Sequence, residues 1–411
     1  MRRSCTAIQV CRRAKRFVGP DGARSTVSLH SHSESSRETL TFVPELAARI
    51  PIVAQRTERA MAEYEKRYGS PLDLQAYYWR PPLTAAAVVA SERRHIEERL
   101  DSAALVSLTD HDTLEGARKL RAAGHDCPLS VEWSAPFGET VFHLGVHAIS
   151  PSRLEETEQV MAVYTAGQGG DVGEILDWLA EYPETFVVLN HPYWDMARLG
   201  QWRHDSELLT FLRIHRDRIH ALELNGYRSW SENRRVLPLA EGFGLPVVGG
   251  GDRHGRSPNT IVNLTAATTL AEFASELRAG VPSYCVVFPE YSDPFAARLV
   301  RGASECLQSE PDANGCPRSW TERVFAEVNG TEVPLSQMWS GEPSWLAASI
   351  ALTHVLGSRA LQPLFSLASR RARTEFEADV RSEDVFAARR RLQTAFRSTA
   401  GVRDSFSGAM P

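Results

Sequence analysis

Lysine is nearly missing from this chain. Only Lys15, Lys66 and Lys119 occur in 411 residues, and every other basic side chain is arginine. Arginine's planar, permanently charged fork makes it a good phosphate ligand. The charge is nevertheless balanced, at −5 net with a pI near 6.3, so no broad basic field points to nucleic acid. Cysteine is also scarce. Cys5, Cys11, Cys127, Cys285, Cys306 and Cys316 are scattered without a CxxC pair. That pattern excludes a zinc ribbon and a disulfide framework, and it fits a reducing cytoplasm. Long apolar runs are lacking too. The stretch Trp345 to Leu367 is broken by His354, Arg359 and Pro363, so it reads as a buried helix pair and not a membrane span. The N-terminus is basic but has no long apolar segment, and residues 1–24 are expected to form a disordered leader. No internal repeat is present.

What is present is a soluble globular composition, 43% hydrophobic and 24% charged, with length for one large domain plus an appendage. From Thr26 onward, short apolar runs alternate with helical periodicity. The runs Thr26–Leu29, Ala104–Leu108, Leu129–Val131, Thr140–Phe142, Phe186–Leu189, Ala221–Leu224 and Pro246–Gly249 each end in polar, mostly ligand-type residues. Alternation of this kind predicts a parallel sheet with helical crossovers. Polar residues at seven successive strand ends favour a closed barrel over an open sheet, which would concentrate its site at one switch point. Two helical stretches, about 41–69 and 84–100, form an insertion (39–100) after the first strand. It either overhangs the active face or packs on the barrel wall. Tyr77-Tyr78-Trp79 within it either stacks a nucleobase or packs the insertion. Beyond residue 292 the chain changes character. A hairpin is expected around Asn329-Gly330, then helices over about 343–369 and 372–397, and a disordered tail over 398–411. The expected organisation is therefore leader 1–24, barrel 25–292, mostly helical extension 293–397 and tail 398–411.

The strand ends carry the chemistry. In an extended segment His30 and His32 point the same way and can reach one ion. With His111, Glu132, His143, His191, Asp252 and His254 they make eight imidazole and carboxylate ligands without a thiolate, a set suited to zinc, manganese or iron. Eight are too many for one ion. Two or three divalent ions sharing Glu132 as a bridge is the natural count, and such a site clamps phosphate and activates water. Asp110 and Asp112 are expected to orient imidazoles. Glu223 and Asn225 either line the pocket or bond at a strand end, and His147 reads as a loop histidine. Arg37, Arg198, Arg228, Arg253 and Arg256 are the candidate phosphate clamps.

The ordered motifs Leu29-His30-Ser31-His32-Ser33, Thr109-Asp110-His111-Asp112-Thr113, Val131-Glu132, His143-Leu144-Gly145, Asn190-His191-Pro192-Tyr193 and Gly251-Asp252-Arg253-His254 resemble the polymerase and histidinol phosphatase (PHP) superfamily over residues 25–290. The resemblance implies an α/β fold, a distorted (β/α)7 barrel, and metal-dependent hydrolysis of a phosphomonoester or phosphodiester by a metal-bound hydroxide. It implies one ion on His30, His32, Glu132 and Asp252, a second on Glu132, His143 and His191, and a third on His111 and His254. The chain departs from the pattern at this third position. Arg37 stands where the family has an aspartate. Either Glu38 or Glu34 substitutes, or the third ion is weak and Arg37 holds substrate phosphate. Arg253 stands where the family has a small residue, and it is an expected cation beside Asp252 and His254 in catalysis. The implied substrate is a small phosphorylated molecule, with nucleotides among the options. Two rivals remain open: hydrolysis of a non-phosphate bond at the same site, and a non-catalytic metal-binding module whose extension docks a partner.

Overall fold

A computed structural model describes residues 6–11, 22–40, 51–69, 71, 73–281, 283–308, 310–311, 317–338, 344–361 and 376. Its strands are β1 (Thr6–Val10), β2 (Ser25–Ser31), β3 (Glu38–Thr39), β4 (Tyr77–Trp79), β5 (Ala103–Val106), β6 (Val131–Phe137), β7 (Thr140–His147), β8 (Phe186–Leu189), β9 (Ala221–Asn225), β10 (Val247–Arg253), β11 (Ile261–Thr265), β12 (Ser283–Val287), β13 (Glu310–Pro311), β14 (Pro317–Arg318), β15 (Val324–Val328) and β16 (Thr331–Pro334).

The protein is mixed α/β, built on one large sheet. Its order is β1-β12-β11-β2-β10-β9-β8-β7-β6, with β5 also paired to β2. β2, β8, β9 and β10 are buried along their whole length, as strands covered on both faces must be, and their apolar runs reflect it. One edge of β2 carries β5. The other is shared, with antiparallel β11 against Ser25–Val27 and parallel β10 against Leu29–Ser31. At the far end of the path, His111 makes an isolated parallel bridge to Glu132 of β6. The Asp112 amide donates to the Glu132 carbonyl at 3.0 Å. The segment after β5 thus reaches the opposite edge strand.

Parallel pairing throughout is not what is found. β7 runs antiparallel to both β6 and β8, and β11 is antiparallel to β2 and β12. Only Gly138 and Glu139 separate β6 from β7, too short a connection for a crossover, so the two form a hairpin. Part of the expected disordered leader is ordered; residues 1–5 and 12–21 of it lie outside the described residues. Thr6–Val10 is a strand paired in parallel with β12, and Ala7 and Ile8 are buried. Ile8 and Ala7 point to opposite faces of the sheet and pack into two different hydrophobic clusters.

The insertion contains the two expected helices, at Pro51–Tyr68 and Ala85–Leu100. The second starts where the Thr84 hydroxyl accepts from the Ala87 amide and stops at Asp101, whose backbone is left-handed. The insertion also contributes β3 and β4 to a second sheet, ordered β16-β15-β4-β3. The hairpin around Asn329-Gly330 supplies β15 and β16. The extension is therefore not merely helical, because its hairpin completes a sheet begun by the insertion. Tyr77-Tyr78-Trp79 is the strand that joins them. Trp79 is buried against Trp320 and Tyr78 stacks on Phe325, so the patch packs the insertion. The helix expected over 343–369 is seen as Ser344–Gly357. The helix over 372–397 and the tail 398–411 lie outside the described residues, Phe376 excepted.

Candidate metal centre

Eight side chains carried on or beside six strands gather at one buried cluster, with the Glu132 carboxylate at its centre. His30 lies on β2 and His32 just past it; His111 follows β5; Glu132 is the second residue of β6; His143 lies within β7; His191 follows β8; Asp252 is on β10, with His254 just beyond. Glu132 Oε2 lies 2.9 Å from His30 Nε2 and 3.2 Å from Nε2 of both His32 and His111. Its Oε1 lies 3.2 Å from His143 Nδ1 and from His191 Nε2. Asp252 Oδ1 is 3.6 Å from Nε2 of His30 and of His32, and 3.5 Å from His254 Nδ1.

The backbone is forced to bring them there. His30, His191 and Asp252 have φ of +66°, +26° and +55°, a region side-chain-bearing residues avoid. Gly250 and Gly251 explain part of the local sequence. A Cβ on Gly250 would meet Glu223 Oε1 at 1.9 Å, and one on Gly251 would meet Asn259 Oδ1 at 1.6 Å. Gly250 is what lets Glu223 approach from β9, and Gly251 makes room for Asn259.

Glu223 is the organiser behind the ligands. It takes His30 Nδ1 at 2.6 Å and the His191 amide at 2.8 Å, and it receives Asn225 Nδ2 at 2.9 Å. A carboxylate on the outer nitrogen fixes the ring and leaves Nε2 facing inward. Asn190 donates to Glu132 Oε1 at 2.9 Å. Asp110 holds the loop after His32 by accepting from the Ser33 amide and hydroxyl, and Asp112 accepts from the Ser134 amide. Both aspartates thus order backbone and do not touch imidazoles. His147 is no loop residue: it is buried on β7, bonded to Ser107 and stacked on Phe186.

Beside His111 and His254 stands Glu38. Its carboxylate lies 3.0 Å from His254 Nε2, 3.5 Å from His111 Nε2 and 3.6 Å from His32 Nδ1, and it accepts from Ser36 Oγ at 2.5 Å. Arg37 points the other way. Its side chain is 55% exposed, pairs with Glu332 and lies over Tyr78. Neither Arg37 nor Glu34, which binds Arg318 at 2.7 Å, reaches the cluster. Arg253 is also turned away. Buried behind the site, it donates to Glu92 Oε1 at 2.6 Å, Ser91 Oγ at 2.7 Å and the Arg256 carbonyl at 2.7 Å. Arg256 and Arg198 are exposed. Arg228, by contrast, stands at the site. Its guanidinium lies 3.6 Å above the Trp194 ring, with Nη2 3.9 Å from Asp252 Oδ2, and its buried Nε has no hydrogen bond.

Opposed charges dominate the electrostatics. Burial pushes the Glu132 carboxyl up, but His30, His111 and His143 outweigh it and hold it well below the usual range. Asp252 is likewise depressed against burial by His30, His32 and His254, and Glu38 by His254, His111 and His32. Burial pulls the His30 imidazole down, yet Glu132, Glu223 and Asp252 carry it well above its ordinary value. His32 is raised to about 10 in spite of burial, chiefly by Glu38. For His111 burial wins and lowers it to about 3.

Such a concentration of buried carboxylates needs cations. His32 Nε2 and His143 Nδ1, both facing Glu132, are buried without a hydrogen bond. Three sets of ligand atoms lie within 4.8 Å of one another: His32, Glu38, His111 and His254; His30, His32, Glu132 and Asp252; His111, Glu132 and His143. These residues fit divalent ions with nitrogen and oxygen donors.

The sequence assigned no role of their own to Glu92, Asn190, Asn259 or Trp194. Glu92 sits in a helix among Ser91, Arg93 and Arg94, where nothing local marks it as a buried charge. For Asn190, its place just before His191 was the available signal.

No family model and no curated protein matches the chain. Among solved structures, PsfC from Pseudomonas syringae PB-5123 is 14% identical, with a TM-score of 0.34 over 53% of this chain and 88% of its own. An amidohydrolase from Chromobacterium violaceum is 18% identical and a proposed metal-dependent phosphoesterase from Bifidobacterium adolescentis 16% identical. Each scores 0.30 over 49% of this chain and 92% of its own. At these scores the likenesses carry no argument about activity. The site itself shows a buried His/Glu/Asp cluster arranged to hold metal ions.

Proposed function

We propose that this protein is a metal-dependent phosphoesterase of the PHP type, acting on a small phosphorylated substrate. The observation that carries the reading is the convergence of His30, His32, His111, His143 and His191 on the single buried carboxylate of Glu132, with Asp252, His254 and Glu38 completing three ligand sets. The proposed architecture is a distorted seven-stranded barrel of β2, β5, β6, β7, β8, β9 and β10. The His111–Glu132 bridge supports its closure between β5 and β6. Buried free cysteines at Cys11, Cys127, Cys285 and Cys306 support a cytoplasmic location.

Two or three ions, zinc, manganese or iron, would be held by the three ligand sets. When bound, they supply Lewis acidity toward a phosphoryl oxygen and a water that ionises near neutral pH. The chain's own residues do the rest. Glu132 spans two positions. Glu223 holds His30 and the His191 backbone in place. Arg228, stacked on Trp194 with Nη2 beside Asp252, is the cation that would meet non-bridging oxygens as charge builds.

A second reading is hydrolysis of a non-phosphate bond at the same cluster. It is favoured by the engagement elsewhere of two expected phosphate clamps, Arg37 with Glu332 and Arg253 with Glu92. Metal analysis followed by a panel of phosphomonoesters, phosphodiesters, amides and lactones separates the two. Turnover of phosphate esters, with Arg228→Ala raising KM at least tenfold, is the expected result. Turnover of amides or lactones alone overturns the phosphoesterase reading.

A further inference from the structure

The loop that carries Glu38 is held from the far end of the chain. Glu38 opens β3 and pairs with Trp79 of β4, which pairs in turn with Val324 of β15. Just before Glu38, two charged loop residues are answered by partners beyond residue 292. Glu34 takes Arg318 at 2.7 Å, and Arg37 pairs with Glu332, which also takes Arg80 at 2.6 Å. Underneath, Arg323 is fully buried, and its guanidinium donates to the carbonyls of Arg80, Cys306 and Gln308. Trp79 closes the arrangement, with its ring 6.0 Å from that of His254 and 5.4 Å from Trp320.

The other ligands are placed differently. His30, Glu132, His143 and Asp252 lie on strands of the large sheet, and His191 follows one. Within the set His32, Glu38, His111 and His254, Glu38 is the sole carboxylate, and it is the ligand that depends on the second sheet.

We propose that residues 317–334 form a brace that seats Glu38, and so decide whether the ion of the His32/Glu38/His111/His254 set is bound, with Arg318 and Glu332 as positioning residues. The proposal rests on the metal-binding reading above. It makes ion occupancy selective, since disturbing the brace should release one ion and leave those around Glu132, Asp252 and His143 in place. It also gives the extension a role inside the site in place of partner docking.

The test uses the full chain with Zn²⁺ or Mn²⁺ and measures ions bound per chain and their separate affinities, together with unfolding temperature. Arg318→Glu and Glu34→Arg each set like charges against each other at the loop. Each single variant is expected to weaken one ion by about fivefold or more, with the remaining ions unchanged. The Glu34→Arg/Arg318→Glu double variant restores the opposite pair in reversed order and should recover the lost ion. Glu332→Ala should weaken the same ion. Single variants with every ion at wild-type affinity overturn the brace. So does uniform loss of all ions, or a double variant that does not recover. A wild-type chain that binds no divalent ion overturns the metal reading beneath it, an outcome distinct from ions that bind but ignore the brace.

Discussion

Glu132 is fully buried and within 3.2 Å of five imidazoles, so its charge is the one most of the cluster shares. Glu132→Gln keeps the volume and removes the charge. Expected is loss of at least one ion, metal affinity down by more than about 100-fold, nearly all activity lost and an unchanged circular dichroism spectrum. Wild-type metal content in that variant would remove Glu132 as a bridge. The neighbouring pair Arg37 and Glu38 gives a second prediction. Since Glu38 reaches three imidazoles and Arg37 faces solvent and Glu332, Glu38→Ala should strip one ion, whereas Arg37→Ala, which removes only one brace contact, should weaken that ion and leave it measurable. Adjacent residues in an extended segment point to opposite sides. Which of the two faces the metals was not legible from the sequence, because the parity of β3 is set by its pairing with β4, some 40 residues later. The structure thus sets the Glu38 carboxylate, and not the Arg37 guanidinium, against the imidazoles.

At the level of elements, the helix Ala85–Leu100 is bound to the strand ends by a charge. Glu92 is completely buried and accepts from Arg253, Ser28 Oγ and the Asn259 amide. Asn259 in turn donates to the Leu29 carbonyl, one residue before His30. Removing one partner of a buried ion pair leaves the other uncompensated. Glu92→Gln should therefore cost about 3 kcal/mol in urea unfolding, and a loss below about 1 kcal/mol would show that Arg253 finds another partner. The strand β1 supplies another test. Its five residues pair with β12 and bury Ala7 and Ile8. Deleting residues 1–11 would uncover the β12 edge, an invitation to intermolecular pairing. A lower unfolding temperature and concentration-dependent aggregation are expected. Unchanged behaviour would return the segment to the status of a dispensable leader. The strand was hidden from sequence reading because five residues inside a basic stretch give too short an alternation, and its partner lies more than 270 residues away.

For the whole molecule, acid sensitivity should come partly from histidines buried in the neutral form. His220 is lowered to about 4, first by burial and then by the Arg278 charge, while its Nδ1 accepts the Val187 amide. The unfolded chain takes up this proton near pH 6.5 and the folded chain only near pH 4. Stability is therefore complete above pH 6.5 and falls as pH drops through that window, by at most about 1.4 kcal/mol per unit for this group. His220→Asn should flatten the pH dependence of urea unfolding between pH 6.5 and 4. A slope equal to that of the parent would assign the effect to other groups. The same division between local and global causes runs through the molecule. Seven apolar runs ending in His, Asp, Glu or Asn announce an α/β sheet with ligands at its strand ends, since strand burial and side-chain alternation are written in neighbouring residues. The His-x-His pair and the glycines of β10 belong to that local record. The antiparallel turn of β7, the inward face of Glu38, the rearward turn of Arg253 and the stacking of Arg228 on Trp194 do not. Each depends on which distant segment lies alongside, and only packing of the complete chain supplies that neighbour.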